Sequence, residues 1–154
     1  MIKMDKDYRL LIYVFIISIL AAGIMFFTNK EKQDVEFCRD VIFKGMIEGK
    51  ASVGEFIDWN KLIAVGVDVG AGFAKAPNEA ERRNYKEVFI RGVSLGFAYT
   101  GGKPNALADW RIFSQTRERV VIAADYRPGK RRMLFTLAKG EKRKLVGLEV
   151  VEIK

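Results

Sequence analysis

The sequence has no histidine, a single cysteine and three prolines in 154 residues. Without histidine, the commonest general base, triad member and metal ligand is missing at once. One cysteine forbids an internal disulfide and gives no redox argument about compartment. Cys38 falls on the apolar side of a helical pattern, where a lone thiol is a small core residue before it is a nucleophile. The carboxylates do not pair: Asp58 and Asp68 are ten apart, and Asp109 sits beside Trp110 at a strand start. No loop with a calcium-binding spacing of oxygen ligands occurs. These absences argue against an enzyme and against any metal or cofactor.

What is present begins with Leu10 to Thr28, LLIYVFIISILAAGIMFFT, nineteen residues without a charge. At ~1.5 Å per residue a helix of that length covers about 28 Å, close to the hydrocarbon thickness of a bilayer. Only a helix satisfies its own backbone in lipid, so the run is expected to be helical. A secretory signal peptide is the main competitor, with Ala21-Ala22-Gly23 as the cleavage triplet. Cutting there leaves Ile24-Met25-Phe26-Phe27 as the mature end, which favours an uncleaved anchor. A core helix would keep a polar face, which this run lacks. The lysine and arginine bias is nearly balanced: Lys3, Lys6 and Arg9 precede the run, and Lys30, Lys32, Arg39 and Lys44 follow it. A first apolar segment behind a short basic tail acts as a signal anchor. The expectation is therefore a tail over residues 1–9, an inner-membrane span over 10–28, and a single domain over 29–154 on the periplasmic side.

That domain is of ordinary size, large enough for its own core. The chain's net charge of +8 is unevenly placed. From Asn29 to Asp109 twelve Lys/Arg balance twelve Asp/Glu, whereas from Trp110 to Lys154 twelve face five.

Val35, Cys38, Val41 or Ile42, and Gly45 or Met46 recur at helical spacing and predict a helix over 30–49, ended by Gly49. It could continue the anchor as one rod or bend at Asn29. Ser52 with Glu55 suggests a capping box for a second short helix. The glycine-rich AVGVDVGAGFAKAP stretch, residues 64–77, reads as a loop with one turn of helix at most. It lacks the buried strand before it and the fixed lysine or serine of a nucleotide loop. Asn78, with Glu81 three residues on, caps a third helix. Its inner face is expected to be Tyr85, Val88, Phe89, Gly92, Val93 and Gly96, the glycines allowing close approach of another element. From residue 110 to 153 the period shortens to four β-rich runs joined by tight polar links, which predicts a four-stranded antiparallel meander. The fold class is thus α+β, with about three helices, ending near residue 100, on one sheet face.

This order of elements resembles the cone-shaped fold of the nuclear transport factor two-like (cystatin-like) superfamily. Over Ile57 to Gly101 the chain looks like the periplasmic phospholipid shuttle of the outer-membrane lipid-asymmetry system. There an Asp-aromatic pair (here Asp58-Trp59) precedes a short helix, and a Glu/Arg/Tyr/Phe-rich helix (here Glu81 to Tyr99) follows. In its short tail, single span and external cone it is similar to the inner-membrane assembly factor of type IV secretion systems. The resemblance implies an envelope role and transfers no site residue.

Two candidate sites follow from the residues. Trp59, Phe73, Phe89, Phe97 and Trp110 could line a pocket between helices and concave sheet, although aromatics so spaced are more often core. Arg127, Lys130, Arg131 and Arg132, with Lys139, Lys142, Arg143 and Lys144, flank two turns expected at the same end of the meander. They would be either ordinary solvated charge or a basic rim for anionic lipid or an acidic partner. The functional expectation is a non-enzymatic, membrane-anchored interaction or assembly module of a bacterial-type envelope complex, with a protein partner or homo-oligomer. A lipid- or small-ligand-binding module is the alternative. No aromatic-basic recognition motif points to nucleic acid.

Overall fold

A computed structural model of the chain describes the backbone from Lys6 to Lys154 and side chains from Tyr13 onward. Residues 1–5, and the side chains of 6–12 with the flanking charges of Lys6 and Arg9, lie outside the described residues. The chain divides into two compact units, Met1–Gln33 and Asp34–Lys154.

The described part of the first unit is helical. Helix α1 (Lys6–Glu36) contains Asn29 without a break there. From Tyr13 to Phe27 its large apolar side chains are 47% to 72% exposed, and no face of it is polar. The helix is long and apolar enough to cross a membrane. Its polar side chains are turned inward: Ser18 Oγ donates to the Val14 carbonyl at 2.8 Å, and Thr28 Oγ1 to that of Ile24 at 3.0 Å. Such back-bonding removes the penalty a free hydroxyl would carry in lipid.

The second unit is α+β. It opens on the last turn of α1, a π-helical segment Phe37–Phe43, and α2 (Lys44–Ile47). Cys38, Ile42, Phe43 and Met46 are all buried. Gly49 ends the helix at φ +66°, and the Lys50 amide donates back to the Gly45 carbonyl at 2.9 Å, the left-handed cap for which glycine is suited. The expected capping box at Ser52 does not form. Ala51–Phe56 is a 3₁₀ helix that begins at Lys50 without a side-chain cap. Val53 is still buried, packed so close to Gly45 that a Cβ there would lie 2.9 Å from its own.

The sheet is the main correction. It has six strands rather than four and is mixed, in the order β2-β1-β6-β5-β4-β3. Strands β3 (Leu107–Gln115), β4 (Arg119–Tyr126), β5 (Arg131–Ala138) and β6 (Lys144–Glu152) pair antiparallel in succession. The glycine-rich stretch, expected as a loop with one turn of helix at most, supplies one of the other two strands and half of the second. Strand β1 (Ile63–Ala64) pairs parallel to β6 and antiparallel to β2 (Val67–Asp68). A two-residue strand carries no periodic signal of its own; pairing with β6 makes it one.

Asp68 then caps α3 (Val69–Ala74), its carboxylate accepting from the Ala71 amide at 2.8 Å. Asn78 caps α4 (Glu79–Tyr99), accepting from the Glu81 amide at 2.9 Å. The inner face of α4 is rotated from the expected one. Ile90 is buried and Val88 is exposed, while Gly92 and Gly96 meet no neighbour within 4 Å of a built Cβ. The stripe Tyr85, Phe89, Val93 and Phe97 packs against the core, and Ser94 Oγ ties α4 to the Ile47 carbonyl at 2.7 Å.

A candidate binding groove at one end of the sheet

The five aromatics expected to line one pocket do not converge. They divide into two packed groups. Trp59 meets Phe73 and Phe89, with ring centroids 6.0 and 5.7 Å away, and Phe73 meets Tyr85. Trp110 stacks on Phe135 at 5.5 Å and meets Phe43, which in turn meets Phe97. The reason is geometric. Phe89 and Phe97 are eight residues apart on one helix, about 12 Å along its axis, so each is claimed by a different part of the core. The indole N–H groups are also satisfied internally, Trp59 by the Gly54 carbonyl at 2.8 Å and Trp110 by the Leu107 carbonyl at 3.3 Å. Lys86 and Arg82 cover the first group as cations over its rings. Trp59 and Phe73 are buried in the core, and Phe89, Phe97 and Trp110 pack against it half-buried.

Phe97 lines a different space, a groove of about 380 Å³ between the C-terminal half of α4 and the helix-facing side of the sheet. Val93, Gly96 and Thr100 form its helical wall; Leu107, Tyr126, Met133, Leu148 and Val150 form its floor. Met133 and Val150 are direct cross-strand partners. Val65 closes one side, and Arg131 is the charged residue in the lining. Leu95 and Tyr99 are also exposed but lie on other faces of α4, away from the groove.

Val65 is unusual. It sits with Gly66 in the two-residue turn between β1 and β2, at φ +49°. A β-branched residue rarely adopts that region, and such turns ordinarily take Asn-Gly. Its side chain is 62% exposed, so core packing does not explain the strain. The sequence held a signal for this, a valine where the turn asks for asparagine, but it is readable only once the hairpin is known.

The basic residues do not form one rim. Arg127, Lys130, Arg131 and Arg132 flank the β4–β5 turn, while Lys139, Lys142, Arg143 and Lys144 flank the β5–β6 turn. Successive hairpins lie at opposite ends of the strand they share, here eight residues, or about 26 Å. The first cluster is at the groove end, and two of its four cations, Arg127 and Arg132, are committed to carboxylates. Arg132 and Arg111 both bond the Asp125 carboxylate, at 2.6 and 3.3 Å, and Arg127 pairs with Asp109 at 2.9 Å. The Arg132 hydrogen bond, aided by Arg111, holds the Asp125 carboxyl below the usual carboxylate range.

At the other end Arg143 pairs with Asp34, the buried carboxylate at the start of the domain. Close by in sequence, burial raises the Cys38 thiol well above its ordinary range, and the Asp34 charge adds to the effect. That thiol is inert. No cluster of three or more metal-ligating side chains occurs among the described residues. Comparison with protein-family models, with curated proteins and with solved structures finds no match.

Proposed function

We propose that the chain is a non-enzymatic, single-pass membrane protein. In this reading α1 is an inner-membrane anchor and the α+β domain is an extracytoplasmic interaction or assembly module of a bacterial-type envelope complex. The contact is the α4–sheet groove, which takes an apolar segment of a protein partner or of a second copy, with an acidic neighbour matching Arg131. The observation that carries the reading is Val65: a strained backbone position presents an apolar side chain to solvent at the edge of a groove, and strain of this kind persists where function requires it. The apolar surface of α1, exposed all round, supports the anchor. The cone-like resemblance favours the envelope setting.

A second reading rests on the groove's volume and largely apolar lining, which also suit a lipid chain or small apolar ligand. Native mass spectrometry of the detergent-extracted full chain separates the two. An oligomer or partner complex without bound lipid, lost in Val150→Glu, supports assembly. One lipid per chain, lost in the same variant, supports the ligand reading. An empty monomer identical in both overturns the groove as a site.

A further inference from the structure

The two ends of the sheet differ in how their cations are used. At the end opposite the groove, Asp34, residues 115–119 and residues 139–144 together carry a net charge of +3. Arg143 is matched by Asp34, and Lys139 Nζ reaches neutral acceptors, Gln115 Oε1 at 3.3 Å and the Thr116 carbonyl at 3.0 Å. Among the described residues, no carboxylate pairs with Arg117, Arg119, Lys142 or Lys144. Arg117, Arg119 and Lys142 are also exposed. Covalent reach places this end. The apolar run stops at Thr28, and Asp34, in contact with Arg143, is six residues later. Even a fully extended chain covers only about 20 Å over that interval.

We infer that this unpaired basic edge rests on anionic lipid headgroups, which fixes the domain on the bilayer by one end and leaves the groove end free. The inference depends on α1 being the anchor. Basic residues within a Debye length of an anionic surface are attracted to it, whereas cations already paired to carboxylates gain little.

The test uses the full chain in lipid nanodiscs, either neutral phosphatidylcholine or rich in phosphatidylglycerol, with an acceptor dye on the headgroups. Glu118→Cys carries the donor at the basic edge and Glu152→Cys carries it at the groove end; buried Cys38 stays unlabelled in the native chain. Energy transfer from position 118 should rise roughly twofold in the anionic discs, and the rise should vanish at high salt. It should also vanish in Arg117→Gln/Lys142→Gln/Lys144→Gln and persist in Lys130→Gln/Arg131→Gln/Lys154→Gln. Equal transfer in both discs, or an equal rise at position 152, overturns the headgroup contact while leaving the anchor intact. A chain that co-elutes with neither disc overturns the anchor and this inference with it.

Discussion

The Asp34 carboxylate, only 2% exposed, is neutralised by the guanidinium of Arg143, which reaches it from the β5–β6 turn. The contact is an ion pair without hydrogen-bond alignment at Oδ1. It joins the first residue of the domain to the start of its last strand. Removing one member of such a pair strands a buried charge, which costs more than the pair itself contributes. Arg143→Ala should therefore lower stability by about 3 kcal/mol in chemical denaturation, and Asp34→Asn in the same chain should recover most of that. The exposed Arg127–Asp109 pair is the contrast, since solvent screens it; Arg127→Ala should be nearly silent. Equal losses in the two variants would refute this ranking.

Asp125 makes stability depend on acid. Its folded carboxyl titrates below the unfolded one because Arg132 and Arg111 bond its charged form. The stabilisation is therefore complete above the unfolded value, about pH 3.9, and is lost as pH falls through the lower folded value. Asp125→Asn should weaken the domain at neutral pH and shrink its difference from the parent chain below about pH 4. Circular dichroism melts across that range would show parallel curves if the carboxylate had no such role.

Two glycines make opposite predictions. A Cβ at Gly70 would lie 2.5 Å from the Asn60 carbonyl oxygen, so Gly70→Ala should cost roughly 1–3 kcal/mol by overpacking. Gly92 lies inside α4 with nothing within 4 Å of a built Cβ. Gly92→Ala should stabilise by up to about 1 kcal/mol through helix propensity. Thermal melts of the two variants should therefore move in opposite directions.

Val65→Asn tests the groove through its strained edge. Asparagine suits φ +49°, so the variant should gain about 1 kcal/mol of stability. It should also lose occupancy of the groove, the exchange expected where strain serves a site. A stabilised variant that still binds would mean that Val65 serves only the turn.

How far the sequence could be read depended on the range of each interaction. The Asn78 cap and the Gly49 stop were legible because each is settled within a few residues. So were the runs of β5 and β6, whose turns carry their own glycine. Strands β1 and β2 were not, because the deciding partner is β6, far along the chain. The face of α4 departs from its apolar pattern because Gly92 and Gly96 meet no neighbour and Ile90 takes the buried place. The aromatic pocket failed because each ring found a nearer partner than a common cavity. The single basic rim failed on topology, since successive hairpins face opposite ways.

The interior place of β6 has a consequence for how the domain forms. Ile63 pairs with Gly147, eighty-four residues later, so the β1–β2 hairpin has no sheet to join until Lys144–Glu152 is in position. Closing so long a span is slow relative to local pairing. Strands β3 to β5 can assemble early as a local unit, but β5 then keeps an open edge beside Phe135 and Leu137. The last strand seals that edge, docks the distant hairpin and brings Arg143 to Asp34 in one step. Without that strand, the β5 edge that pairs with it here would have no partner in the sheet.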